Sequence, residues 1–181
     1  MIRKVSIPPT KADRFIATQA ATQTNPIIQK CLRTATWAAD GHVLGPAAAA
    51  IWLASRVGGR RHRMSASHFA LTVAAAIAAP KVIKSLIDRQ RPDRCVVGQD
   101  RRGVGISGKP YDSFPSGHSV HLGAVVGALA WAYPRKSRYI YAAGGALAAT
   151  RIAVLAHWPT DVLAGWALGA AIEKSIRQLS A

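Results

Sequence analysis

Acidic side chains are scarce in this chain. Of its 181 residues only eight are Asp or Glu, against 24 Lys and Arg, and Glu173 is the sole glutamate. A hard-cation phosphatase of the two-metal kind needs several clustered carboxylates, and none are clustered here, so neither a metal nor any other cofactor is expected. Cys31 and Cys95 are too few for a disulfide framework and lack a metal-site partner. His42, His62 and His68 likewise have no carboxylate or cysteine at metal-ligand spacing. The first forty residues contain no apolar core long enough for a secretory signal, which leads us to expect insertion into a membrane by the chain's own helices. No internal repeat and no second domain is visible.

What the chain does have is apolar surface: half of its residues are hydrophobic. They gather in runs at 42–55, 69–83, 120–133, 139–156 and 162–172. Several fall short of the roughly 20 residues that span a bilayer, but neutral neighbours restore most of the length. Ala and Gly abound, as in Ala142-Ala143-Gly144-Gly145-Ala146, and permit close helix contact in lipid. Trp52, Trp131, Tyr133, Tyr139 and Tyr141 sit near run ends, as interfacial aromatics do. The expected architecture is all-α, an integral membrane bundle of about five transmembrane helices with an N-terminal amphipathic helix. Residues 1–40 form the interfacial segment, with apolar and polar residues alternating at helical spacing over 25–39, and residues 41–181 form the embedded domain.

A net charge of +16 would ordinarily point to nucleic acid. The basic residues come in short knots between alanine-rich runs, which leaves little room for such a surface, so no nucleic-acid partner is expected. Anionic head groups and phosphorylated lipids explain the charge better.

Three clusters carry the chemistry. The first is Lys84-Ser-Leu-Ile-Asp-Arg-Gln-Arg91-Pro92, the second Pro115-Ser116-Gly117-His118, and the third Thr150-Arg151 followed by His157-Trp-Pro-Thr-Asp161. A phosphate losing its hydration needs fixed cations and oriented N–H donors, which Lys84, Arg91 and Arg151 can supply. The guanidinium forks should orient the phosphate more than the ammonium does. Ser116 and Gly117 open a helix whose free N–H groups suit an anion. There Ser116 either caps the helix or donates to phosphate, and Gly117 permits close approach and unusual dihedrals. Pro159 fits only a first turn, which sets His157 just before a helix and Asp161 within its first turn. A carboxylate bonded to one ring nitrogen would fix the histidine tautomer and free the other nitrogen for attack.

Taken singly, each cluster has a plainer reading. Arg91-Pro92 would be a helix stop, Pro-Ser-Gly-His a turn with an N-cap, and His157 a structural histidine. His121, three residues after His118 on the same helix face, reads as helix packing or as support behind the site, not as a ligand.

In order and internal spacing the three clusters resemble the signature of the type 2 phosphatidic acid phosphatase superfamily, Thr150 standing where that family usually has serine. The resemblance implies that His157 is the nucleophile forming a phosphohistidine, that Asp161 orients it, and that His118 protonates the leaving oxygen. The activity it implies is metal-independent hydrolysis of a lipid phosphate or diphosphate. A polyprenyl diphosphate or phosphate leads, with phosphatidate, phosphatidylglycerophosphate and phosphorylated lipid A as alternatives. A vanadium-dependent haloperoxidase shares the motifs but is much longer and soluble. In a non-enzymatic lipid-binding relative catalytic residues are lost, and here none is missing.

The clusters fall at helix ends that share one face, whereas basic residues of 56–63, 135–138 and 174–177 lie on the other. The positive-inside rule makes the second face cytoplasmic, so the site of this inner or plasma membrane protein is expected to face the periplasm or exterior. Residues 93–114 should form a lid or recognition loop over it.

Overall fold

Each of the five apolar runs becomes a helix in the computed structural model, which describes residues 4–180. Among the described residues the helices are α1 (Lys11–Thr22), α2 (Pro26–Ala35), α3 (Gly41–Ala54), α4 (Arg60–Leu86), α5 (Gly117–Ala132), α6 (Ser137–Ala153) and α7 (Pro159–Ser180). Their starts obey local chemistry. Asn25 caps α2 ahead of Pro26, and Asp40 accepts from the His42 N–H to open α3. Asp161 reaches back to the Trp158 N–H at 2.9 Å, which closes half a capping box on α7.

The N-terminal segment differs from expectation. Alongside α2, which ends in a 3-10 turn over Thr36–Ala39, it holds a second helix, α1. Thr10 and Asp13 form a reciprocal capping box at its start. Sequence periodicity passed over α1 because its charges are scattered; the cap and the burial of Asp13 and Ala17 hold it. Nor is the chain wholly helical. β1 (Val5–Ser6) pairs in parallel with β2 (Ile87–Asp88), and the extended course continues through Arg89, whose N–H donates to the Tyr111 carbonyl at 2.9 Å. An extended backbone sends alternate side chains to one side. Arg89 and Arg91 therefore both turn inward and are buried, while Gln90 is exposed.

α5 is the central post, packed by α4, α6 and α7, and its buried residues run from Ser119 to Ala130. Its tightest neighbour is α7, because both carry glycines one turn apart at the crossing. A Cβ on Gly123 would overlap the Trp166 carbonyl oxygen, one on Gly169 the Val120 carbonyl oxygen, and one on Gly165 would lie 2.6 Å from the Ser116 carbonyl oxygen. That close approach brings the start of α5 beside the start of α7, where the Ser116 N–H donates to the Asp161 carbonyl at 3.1 Å.

Large apolar side chains stand on the outside of the helices. Ile51, Leu53, Leu71, Val82 and Leu163 are exposed, while Arg89, Arg91, Asp93, Ser116 and Asp161 are buried. Among the described residues only α4, 27 residues long, is both long and apolar enough to cross a membrane by length and composition. α3, α5 and α6 have 14, 16 and 17 residues.

Candidate active site

Lys84 closes α4, Ser116 and Gly117 open α5, Arg151 ends α6, and the short link from α6 to α7 carries His157. The link bends sharply at Leu155, a buried residue in the left-handed region at φ 56°. Such a backbone is costly for a branched side chain and survives only where its surroundings enforce it. Here the Asp93 N–H donates to the Leu155 carbonyl at 3.0 Å, and the Arg151 carbonyl accepts from the N–H groups of Ala156 and His157 at 3.1 and 3.2 Å. His157 is thereby folded back beneath the ends of α5 and α6.

The His157 ring is 3% exposed. Its Nδ1 lies 2.7 Å from the Ser113 carbonyl oxygen, and since a carbonyl only accepts, that nitrogen carries the proton. Nε2 is left with its lone pair, 3.2 Å from Nη1 of Arg91, which donates to it. Burial first, then the cations of Arg91, Arg151 and Lys84, hold the imidazole well below its ordinary pKa, against the Ser113 carbonyl.

Asp161, expected to hold the ring directly, stands 3.9 Å from Nδ1. Competition is the reason. Its Oδ2 accepts from Ser113 Oγ at 2.5 Å and from the Trp158 N–H at 2.9 Å, and its Oδ1 accepts from Arg89 Nη1. The carboxylate thus fixes the residue that bonds His157 and the residue that follows it. Arg89 in turn reaches Asp13 Oδ2 at 2.7 Å, and Asp13 accepts from the Thr160 N–H at 2.9 Å. Burial works against the Asp13 carboxylate, but hydrogen bonds from Thr160 and Thr10 outweigh it and hold its pKa below the usual value.

The cations converge on one side. Asp112 anchors two of them: its Oδ1 accepts from Arg91 Nε at 2.9 Å, and its Oδ2 lies 3.8 Å from Lys84 Nζ. Arg91 also donates to the Ala156 and Lys109 carbonyls at 2.8 and 3.1 Å. Arg151 donates from Nη1 to Thr36 Oγ1 at 3.2 Å, and its buried Nε has no hydrogen-bond partner. His118 presents Nε2 at 3.6 Å from Asp40 Oδ2, while His121 is turned away, its Nδ1 2.9 Å from the Ala39 carbonyl oxygen. Ser116 Oγ caps α5, accepting from the Ser119 N–H at 3.4 Å. At Gly117 the sequence reading needs correction. Its φ is not positive, as befits a first helical residue, and a Cβ there meets no atom within 4 Å. The glycine leaves space rather than permitting strain.

The loop after Arg91 folds over this end, since Asp93 Oδ2 accepts from the Ser107 N–H and Oγ at 2.7 and 2.8 Å. The structure thus brings together all eight residues singled out in the sequence. It adds Asp13, Asp40, Arg89, Asp112 and Ser113, which sequence reasoning missed. One signal was there to use: with carboxylates so scarce, each one near a motif was worth suspecting. Among the described residues no group of three His, Cys, Asp or Glu side chains is placed to hold a metal ion.

Comparison with known proteins bears on the stretch of chain that carries these residues. A model of the PAP2 superfamily matches residues 65–180. Two curated relatives are named lipid A 1-phosphatase. That of Rhizobium johnstonii is 40% identical over 90 residues, 49% of this chain and 37% of the relative. That of Rhizobium etli is 39% identical over 89 residues, 49% and 38% respectively. The match thus spans less than half the length of either relative. The fold is similar to that of Aquifex aeolicus LpxE, with a TM-score of 0.71 and 15% identity over 91% of this chain and 93% of that one. It is equally similar to the first transmembrane PAP2-type phosphatidylglycerolphosphate phosphatase from Bacillus subtilis, with a TM-score of 0.71 and 22% identity over 93% and 84% of the two chains.

Proposed function

This chain belongs to the PAP2 superfamily, whose model takes in residues 65–180, and on that premise we propose that it is a membrane hydrolase of lipid phosphates acting through a phosphohistidine on His157. The observation that carries the reading is the neutral, buried imidazole, with Nδ1–H donated to Ser113 and Nε2 free to attack. A substrate phosphate would draw Arg91 Nη1 from Nε2 and take up the unpartnered Nε of Arg151, with Lys84 completing the charge. Nε2 forms the P–N bond as the P–O bond to the leaving group breaks, and His118, which the dianion's charge would hold protonated once substrate is bound, gives its proton to the departing oxygen. Water then attacks phosphorus, losing its proton to His118, and releases phosphate and the free imidazole. Asp161, through Ser113 and Trp158, positions the nucleophile. No metal enters these steps.

As substrate we propose a lipid carrying a phosphate on a sugar's anomeric carbon, as in lipid A. Two relatives of that name align with half of this chain. Neither name speaks for the polyprenyl diphosphate that the sequence resemblance put first. The outward apolar side chains support a membrane setting with about five spans, α3 to α7, of which the shorter ones reach roughly 21 to 26 Å at about 1.5 Å per residue, close to a hydrocarbon core when their polar ends sit in the interface. α2, with Ile27, Ile28 and Trp37 exposed, would lie along that interface, and the loop over residues 93–114 would gate the head group. Residues 1–40 then form the interfacial segment and 41–181 the embedded phosphatase domain. The site would face the periplasm of a bacterial inner membrane.

Phosphate release by the purified full chain, measured in EDTA on lipid A, polyprenyl diphosphate and phosphatidylglycerophosphate, tests the reading. We expect release from lipid A first, trapping of a phosphoenzyme, and loss of both in His157→Ala. An anomeric oxygen is a better leaving group than an alkyl alcohol, so His118→Ala should slow lipid A less than phosphatidylglycerophosphate. Undiminished turnover by His157→Ala would overturn the nucleophile.

A further inference from the structure

At the end of the bundle away from His157, the first turns of α4 and the last turns of α5 and α7 border an open cavity of about 1240 Å³ that no catalytic residue lines. Arg60 is 24 residues from Lys84 along α4, so the cavity's rim at Arg60 lies about 36 Å from the candidate active site at the usual helical rise, and its inner wall at Leu71 about 20 Å. Its rim is cationic: Arg56, Arg60, Arg61, Arg63 and Arg177 all contribute. The nearby carboxylate, Glu173, is buried and already shared, with Arg177 Nε at 3.2 Å and His68 Nε2 at 3.6 Å from its Oε1. The side chains of Arg60, Arg61 and Arg63 make no hydrogen bond or ion pair with a described residue. Arg56, by contrast, is fixed. Its guanidinium stacks 4.5 Å over the Trp52 ring and donates to Ser67 Oγ at 3.0 Å.

The wall behind this rim is of another kind. Met64, Leu71 and Trp131 line it with exposed apolar surface. Below them His68 is buried with its ring 5.2 Å from that of Trp131, and its Nε2 has no hydrogen-bond partner. Cations above and an apolar wall below complement one molecule that is both anionic and oily. An inorganic phosphate has no use for the wall, and a nucleic acid none for a cavity half lined by hydrocarbon. We propose that this cavity binds the head group of an anionic glycerophospholipid, such as phosphatidylglycerol, in the leaflet opposite the candidate active site. The diester phosphate sits in the forks of Arg60, Arg61 and Arg63, and an acyl chain runs along Leu71 and Trp131.

Native mass spectrometry of the full chain in nonionic detergent tests this without recourse to catalysis. One phosphatidylglycerol per chain should be retained at concentrations where neither phosphatidylcholine nor inorganic phosphate is. Replacing Arg60, Arg61 and Arg63 together by Gln should weaken retention at least tenfold. Replacing Arg135, Lys136 and Arg138 by Gln removes the same charge beside the cavity and should leave retention unchanged. If the triple variant does not fold, Arg61→Gln alone, at an exposed side chain without partners, should weaken binding about fivefold, the effect of one cation near an anionic head group. Equal loss in both triple variants would show diffuse attraction and overturn the site. So would equal retention of phosphatidylcholine or of inorganic phosphate, or the lack of any one-to-one adduct.

Discussion

The carboxylate nearest the His157 ring does not touch it, and the consequence is a neutral imidazole. A carbonyl partner fixes the Nδ1–H tautomer without adding the negative charge that would draw a second proton, and burial with three cations repels that proton further. The sign is clear: depression of the pKa keeps the nucleophile competent as pH falls. Nitrogen-15 NMR of labelled protein should show His157 as the Nδ1–H tautomer without titration between about pH 5 and 8, where ordinary histidines change charge. Titration within that interval would count against the depression by burial and cations, and an Nε2–H tautomer would count against the Ser113 assignment. Asp13 is the farthest residue tied into this arrangement, 147 positions from Thr160 in sequence. Asp13→Asn keeps the shape but removes one of the two charges on Arg89. With charge-assisted hydrogen bonds worth about 1.5–3 kcal/mol, we expect kcat to fall roughly ten- to a hundredfold with little change in KM. A raised KM at unchanged kcat would place Asp13 in substrate binding instead. Local spacing made Lys84, Arg91, His118 and His157 legible in the sequence, because each motif is short. The parts that Asp13, Asp40 and Asp112 play at the site were illegible because their partners there lie far along the chain, and the left-handed turn at Leu155 leaves no mark in composition.

Helix contacts decide whether the motifs meet. Ala and Gly in these runs permit close approach, yet spacing alone does not say which helix each glycine faces. α5 and α7 touch through Gly123, Gly165 and Gly169, whereas Gly145 on α6 faces open space. Gly169→Ala would push the Val120 backbone and, through it, the start of α5 that carries Ser116 and His118. We expect a loss of about 1–3 kcal/mol of stability, read as a lowered melting temperature in detergent, together with lower activity. Gly145→Ala should be neutral or slightly stabilising, since alanine is the better helix former. Equal melting temperatures for the two variants would refute the tight α5–α7 crossing. Boundaries followed the same division of labour. Caps at Asn25, Asp40 and Ser116 were readable as residue types, but α1 was hidden, since its single buried carboxylate has meaning only once Arg89 and Thr160 are beside it.

As a whole the molecule turns many large apolar side chains outward, while most of its buried polar groups gather at the end that carries His157. Five crossings by α3 to α7 would leave the links before α3, between α4 and α5, and between α6 and α7 at the end bearing Lys84, His118 and His157. The links at 55–59 and 133–136, with Arg56, Arg135 and Lys136, fall at the other. Local charge favours keeping these links and the basic residues beside them, 56–63 and 135–138, in the cytoplasm, although Arg94, Arg101, Arg102 and Lys109 on the catalytic side oppose it. Single cysteines resolve the sidedness if their positions tolerate a side chain. Gly108 does not, because its φ is 38° and a Cβ would lie 2.7 Å from Arg91 Nη2. Gly98 and Gly59 do, each exposed with no atom within 4 Å of a Cβ. With Cys31 and Cys95 replaced, Gly98→Cys should react with an impermeant maleimide on sealed spheroplasts, and Gly59→Cys only after the membrane is opened. Labelling of Gly59→Cys alone would turn the site toward the cytoplasm and its lipid phosphates. Labelling of both on sealed membranes would mean that α4 does not cross, and the five-span arrangement would fall with it.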